Sequence, residues 1–300
     1  MVLLPAVAHA QAWVLLAGEG TVSVVYHHLF VEDHVFARGD RHDVGQIRTH
    51  ALTADFDYGL TDRWSLRAQM PYVAAKYAGG FPHRFPGQAP ADFEQLDNTG
   101  YHSGLQDLRV EARYGAMEFP FAITPFVAFG VPTHEYEYFA HSAIGLHMKE
   151  LQLGTYLGAY WGRWSAQGRA SFGIYESVLG RRRNRTNLDA EVGWTAGRKV
   201  RVLLFETSQI SHGGFDLPFE DLPRLAAEPW FPNHDQLVRA HFLNVGAGAV
   251  VGLTRAMSLQ ASLTSTVAGR NTHAAKYGFT FGANWGFGGR HPHHAATRRP

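Results

Sequence analysis

The chain has 300 residues, no cysteine, and 27 basic against 26 acidic residues, which gives a formal net charge of +1. The lack of cysteine excludes disulfides, thiolate metal sites and a cysteine nucleophile. The balanced charge and the lack of a nucleic-acid motif exclude nucleic acid as an expected partner. A chain of this length without an evident linker suits a single closed barrel.

The first ten residues are apolar and end in Ala8-His9-Ala10, a pattern typical of signal-peptidase sites. Because this segment has no positively charged start, we interpret residues 1–10 as the remnant of a signal peptide. The alternative is an ordinary apolar N-terminus. The mature chain would then begin near Gln11, with a barrel over residues 11–287 and a polar tail over residues 288–300.

The middle of the chain alternates apolar and polar residues, most clearly in segments 64–70 and 107–114. Successive side chains of a strand point to opposite faces, so one face of each segment suits lipid and the other suits water. The pattern predicts about twelve strands, with ten or fourteen left open. They lie near residues 20–30, 46–58, 64–77, 104–116, 121–131, 150–161, 164–176, 187–195, 199–210, 236–252, 257–268 and 276–287.

The connections between these segments are short at one end and long at the other. Tight turns, such as residues 59–63 and 162–163, alternate with long polar stretches at residues 78–103, 132–149 and 212–235. This pattern is typical of outer-membrane barrels, whose short turns face the periplasm. Aromatic residues beside the turns fit a girdle at the lipid headgroups. They are Tyr58, Trp64, Tyr114, Phe121, Trp161, Trp164 and Trp194.

The sequence therefore predicts an all-β fold, a transmembrane antiparallel up-and-down β-barrel. We expect it in the outer membrane of a Gram-negative bacterium, after export across the inner membrane. The expected partners are outer-membrane lipid, lipopolysaccharide, the barrel-assembly machinery and a small-molecule solute.

Two motifs carry a resemblance to a known family. Residues 57–66 read DYGLTDRWSL and continue into Met70-Pro71-Tyr72-Val73, and residues 104–109 read GLQDLR. Over roughly residues 44–116 the chain resembles the meta-pathway phenol-degradation family of outer-membrane barrels, often described as transporters. The resemblance implies passive passage of small, aromatic or apolar molecules. It offers no defined site to transfer.

The water-suited faces of the predicted strands carry charges of both signs in similar number. They either pair with one another and brace or close the barrel, or line a pathway for a polar solute. These pore-lining candidates are Asp55, Asp57, Arg67, Asp107, Arg109, Glu111, Arg113, Arg169, Asp189 and Glu191.

The long loops contain more aromatic residues than solvated loops need. They could fold into the mouth of the barrel and gate it, or pave an apolar entry site there. The alternative function is a non-conducting structural or surface-exposed barrel that these loops plug. The gating candidates are Phe81, Phe85, Phe93, Phe215, Phe219, Trp230 and Phe231.

The run Arg181-Arg182-Arg183-Asn184-Arg185 is predicted to be a solvated outer loop that meets lipid phosphates or lipopolysaccharide. Several histidines also fall in predicted outer loops, but only the tail, with His291, His293 and His294, has the spacing of a metal site. We therefore predict neither metal nor cofactor. The predicted outer-loop histidines are His34, His42, His83, His102, His134, His141, His147, His212, His234 and His273.

Enzymatic barrels need recognisable catalytic residues. The sequence contains no His-x-Ser pair of the kind an outer-membrane phospholipase would use. The dipeptides His42-Asp43 and His234-Asp235 are a weak match to a barrel protease, because no convincing acidic pair accompanies either. The sequence predicts that the protein is not an enzyme.

Overall fold

The structure is a computed structural model that describes residues 12–79 and 96–288. In these residues thirteen strands form one antiparallel sheet. The strands are β1 (Gly20–Val35), β2 (Arg41–Gly59), β3 (Trp64–Ala78), β4 (His102–Leu105), β5 (Asp107–Tyr114), β6 (Phe121–Pro132), β7 (Glu150–Trp161), β8 (Trp164–Tyr175), β9 (Arg183–Ala196), β10 (Val200–Gly213), β11 (His241–Gly252), β12 (Met257–Arg270) and β13 (Thr272–Phe287).

The sheet closes on itself. Strand β1 pairs with both β2 and β13, so that Gly20 lies opposite Tyr58 on one side and Phe287 on the other. Strands β4 and β5 both pair with β3 and act as one barrel strand interrupted at Gln106. The barrel thus has twelve strands in up-and-down order. Closure pairs the backbone groups that an open sheet would leave at its edges.

All twelve predicted strands are confirmed. Most differences between the predicted and observed bounds lie at the end of the barrel that carries the long connections. The strands predicted to end at residue 30 and to begin at residues 46 and 187 extend to Val35, Arg41 and Arg183. The added residues are largely polar on both faces, so the alternation that predicts a strand fades there. In contrast, β11 begins at His241 rather than at residue 236, because residues 234–237 form a helical turn.

The outer face of the barrel carries an apolar belt. Leu66, Leu157, Leu188 and Leu204 are among the alternate residues that point outward and stay exposed. Rings concentrate at one end of this belt, where Trp64 lies opposite Tyr114 and Trp164 lies opposite both Trp161 and Trp194. These positions agree with the predicted aromatic girdle.

The two ends of the barrel differ in their connections. One end, here the turn end, carries the short connections at residues 60–63, 162–163, 197–199 and 253–256, together with the slightly longer 115–120. The other, here the loop end, carries the connections at residues 36–40, 79–101, 133–149, 176–182, 214–240 and 271.

The longest described connection, residues 214–240, contains four helical turns. They are two 3₁₀ turns, Phe219–Asp221 and Phe231–Asn233, and two short helices, α1 (Leu222–Leu225) and α2 (His234–Leu237). Among residues 12–79 and 96–288, no helix is long and apolar enough to cross a membrane.

Candidate functional site

Charged side chains from neighbouring strands meet inside the turn-end half of the barrel. All of the predicted pore-lining candidates lie on inward-facing positions of β2, β3, β5, β8 and β9. Arg67 donates from Nε to Asp55 at 2.9 Å, and Gln69 donates to the same carboxylate at 2.6 Å. The register of the sheet places these side chains on adjacent strands at nearly the same height.

Glu111 is the centre of this arrangement. Its carboxylate accepts hydrogen bonds from Arg109 Nη2 and from the Tyr156 hydroxyl, both at 2.8 Å. The Nε of Arg113 lies 3.9 Å from Glu111, and the same guanidinium donates to Asp57. Glu111, Arg113 and Asp57 are almost fully buried.

The opposite wall repeats the pattern. Arg169 Nη1 donates to Asp189 at 3.1 Å, and Arg201 Nη2 donates to Glu191 at 2.7 Å. Arg201 was not predicted, because the strand that carries it does not alternate cleanly at this point. Asp107 accepts its hydrogen bond from the Tyr136 hydroxyl rather than from a cation. The remaining predicted charges form opposite-sign pairs, which favours the bracing interpretation, since a buried unpaired charge is costly.

A segment of the N-terminal region lies inside the same half of the barrel. The backbone of Ala12 donates to Gln167 Oε1 at 3.1 Å and accepts from Thr124 Oγ1 at 2.6 Å. Trp13 stacks on Tyr160 with ring centroids 4.4 Å apart. The segment therefore crosses the turn end and fills part of the interior there.

At the loop end, three connections pack together over the mouth of the barrel. Phe36, Phe139 and Phe231 come from different connections and share one buried apolar cluster with Leu217 and Val238. A hydrogen bond also joins two of these connections, because Gln236 donates to the Leu146 carbonyl at 2.9 Å. We use the name cap for residues 214–240 together with those residues of connections 36–40 and 133–149 that they contact.

The gating candidates of the described residues belong to this cap. Phe231 lies in its core, Phe215 and Trp230 pack against that core, and Phe219 stacks on His42 at its edge. The candidates Phe81, Phe85 and Phe93 fall in residues 80–95, outside the described residues.

Two predictions about outer loops are wrong. Arg183 and Arg185 belong to β9 and point inward, where each is nearly fully buried, while Arg181 and Arg182 remain exposed. The cluster of arginines suggested exposure to solvent. However, residues 183 and 185 are an even number of positions from Asp189 and Glu191, so in a continuous strand they share the inner face with them. Histidines of the described residues likewise lie in strands rather than loops at positions 34, 42, 102, 212 and 273.

A cavity lies between the cap and the wall of the barrel. Arg183, Arg185 and Gln209 line it on one side, Asn244 and Thr266 on another, and Asp235 belongs to the cap above. Arg183 donates from Nη1 to the Val238 carbonyl, and within the described part of the chain its Nε and Nη2 have no hydrogen-bond partner.

The weak catalytic and metal candidates gain little from the geometry. His42 Nε2 lies 2.8 Å from Asp40 rather than pairing with Asp43, and His234 Nε2 lies 3.5 Å from Asp235. In the described ranges, no group of three or more His, Asp or Glu side chains could hold a metal ion. The tail histidines and both terminal segments, residues 1–11 and 289–300, lie outside the described residues.

Comparison with known proteins identifies the fold. No family model and no curated protein matches the chain. Among solved structures, the COG4313 outer membrane channel from Pseudomonas putida F1 has a TM-score of 0.68 and 15% identity over 92% of this chain and 98% of that chain. The NanC porin has a TM-score of 0.50 and 8% identity over 88% of this chain and 98% of that chain. The fold is that of an outer-membrane β-barrel.

Proposed function

We propose that this protein is an outer-membrane channel for small molecules, closed in the present conformation by the cap and by the N-terminal segment. The observation that carries the proposal is a closed barrel with an apolar outer face and a polar inner face. In a barrel of this kind the outer face contacts lipid, and the polar interior can form a path for solutes. The likeness in fold to a channel and a porin supports the same role.

We further propose that solutes cross by passive diffusion once the cap opens. Nothing in the described interior resembles a site that would couple transport to an energy source. The resemblance to the phenol-degradation family supports small aromatic or apolar compounds as solutes. A growth comparison tests this: a strain lacking the gene should grow more slowly on a limiting aromatic compound, and equal growth would argue against aromatic solutes.

The second candidate is a non-conducting barrel. It draws support from the buried core of the cap and from the segment that fills the turn end, since both oppose an open path. Closed channels and plugged barrels share these features, so only opening distinguishes the two functions.

A planar-bilayer experiment on two proteins separates them. In the second protein, a Gly-Gly linker replaces residues 217–236, because Phe215 forms backbone hydrogen bonds with Leu237 and Arg239 and the loop ends therefore lie close together. We expect rare conductance steps from the wild type and frequent steps from the shortened variant. If neither protein conducts although both insert as folded barrels, the channel proposal is wrong and the structural barrel is favoured.

A further inference from the structure

We infer that the cavity beneath the cap is a binding site for a small carboxylate anion with a short apolar body, held by Arg183 and Arg185. The inference rests on the proposed channel function in one respect, since it adds a charged class of solute to the aromatic or apolar compounds proposed above. The binding itself can be tested without conductance.

The first reason is the state of Arg183. A guanidinium stays protonated in proteins, so its charge cannot be removed by burial. Only 2% of Arg183 is exposed, and of its nitrogens Nη1 alone finds an acceptor in the described residues, the Val238 carbonyl. A buried cation with unused donors is costly unless an anion satisfies it. Its Nε and Nη2 are adjacent donors that suit a bidentate carboxylate.

The second reason is the charge balance of the cavity wall. Arg185 also lines it, with Nη1 bonded to the Tyr175 hydroxyl at 3.2 Å and with Nε unpartnered in the described residues. Against these two cations stands one lining carboxylate, Asp235, beside His234. Glu150, which faces Tyr175 in the sheet register, does not line the cavity. The arginine and carboxylate charges together leave one positive charge on the wall, which matches a monoanion.

The third reason is the chemistry of the remaining lining. Leu29, Leu217, Phe242 and Ala275 present apolar surface beside the guanidinium groups. Such a surface suits the hydrocarbon part of a carboxylate and disfavours a doubly charged, fully hydrated phosphate.

The size of the cavity limits the ligand. A volume of about 60 Å³ is open to the centre of a water molecule. One water needs on the order of 10–15 Å³ by that measure, so the cavity holds roughly four to six waters or a similar number of non-hydrogen atoms. Propionate is of that size. Its neutral analogue propionamide has nearly the same shape, which makes the pair a test of charge.

Saturation-transfer NMR on the full chain, refolded in detergent, tests the site with propionate as the probe. We expect saturable propionate binding and no measurable propionamide binding. Phosphate, which has no carbon-bound protons to observe, is tested by competition and should displace propionate only at higher concentration. Arg183→Met and Arg185→Met should each weaken propionate binding about tenfold or more, because a charge-assisted hydrogen bond contributes on that order. Arg182→Gln is the matched control, since it removes the same charge from an exposed position of the same run.

Heat-modifiable migration on gels verifies that each variant is a folded barrel before its binding is compared. Equal binding of propionate by the Arg183→Met, Arg185→Met double variant, or equal binding of propionamide by the wild type, would overturn the site. Tighter binding of phosphate would overturn the carboxylate class. If propionate binds as expected but no protein conducts, the channel proposal fails and the site stands. If the protein conducts but propionate does not bind, the site fails and the channel proposal stands.

Discussion

The two halves of the barrel interior treat buried charge in opposite ways. In the turn-end half, Arg113 meets Asp57 and Glu111, and Arg201 meets Glu191. In the loop-end half, Arg183 is equally buried but rests against a backbone carbonyl and an open cavity. Paired charges between neighbouring strands stabilise the wall, whereas an excess of positive charge beside a cavity is available to a ligand.

The halves also differ in what covers them. The loop-end cap has its own apolar core built from three connections, while the turn end is covered by a short segment held through Ala12 and Trp13. The cap, with a core of large side chains, should open less readily than the N-terminal segment, which makes few contacts. Closure of the proposed channel would therefore depend mainly on the cap.

The largest expected effect comes from breaking the paired charges. Arg113→Met leaves Asp57 and Glu111 buried without this cation, and removing one partner of a buried pair costs about 3–5 kcal/mol. We expect a loss of this size in the free energy of unfolding, measured by urea titration in lipid vesicles. Arg163→Met, in an exposed turn, is the control and should change little. A loss for Arg113→Met as small as that of the control would mean that the pairs do not brace the barrel.

A somewhat smaller effect is expected from loosening the cap. Phe231 is buried and packs against Phe139 and His234, so Phe231→Ala should cost the cap about 3 kcal/mol. The population of opened caps should then rise about a hundredfold, measured as faster amide hydrogen exchange over residues 214–240 with unchanged strands. Phe219→Ala, at the exposed edge, should have a much weaker effect. Equal exchange in the two variants would contradict a cap built around Phe231.

A single methyl group added at Gly158 should displace the N-terminal segment that lies inside the turn end. A side chain at Gly158 would place its Cβ 2.5 Å from the Cβ of Ala12, so Gly158→Ala should expel the segment. The cost is about 1 kcal/mol, typical of mild overpacking. We expect faster proteolytic cleavage within residues 12–19, read by mass spectrometry. Gly168→Ala is the control, because its Cβ would meet only the Asp189 carbonyl at 3.4 Å. Unchanged cleavage would place the segment elsewhere in solution.

The smallest effect is expected at Arg183, whose charge forms no ion pair with a carboxylate among residues 12–79 and 96–288. Arg183→Met gives up one hydrogen bond to Val238 but also removes an uncompensated buried cation, so stability should stay within about 1 kcal/mol of the wild type. The same urea titration measures it. A loss comparable to that of Arg113→Met would show that Arg183 is structurally paired, and the contrast between the two halves would disappear.

Much of the wall could be predicted because strand parity is a local property. Alternation at residues 64–70 and 107–114 fixes which side chains point inward, and the structure places Arg67, Arg109 and Glu111 there. The pattern faded near the loop end, where polar residues occupy both faces, and the same loss of contrast made Arg183 and Arg185 resemble a solvated loop.

The sequence by itself predicted an all-β barrel of about twelve strands, most of the inward and outward faces, and the separation of turns from loops, since each depends on residues close together in the chain. Only the tertiary structure decided which charges pair. Arg113 and Asp57 are 56 residues apart in the sequence, and the register of the strands brings them together. Only the tertiary structure showed that the cap buries Arg183 beside a cavity. A polar side chain looks the same in sequence whether it faces solvent or a closed interior, and that distinction arises when distant loops pack over it.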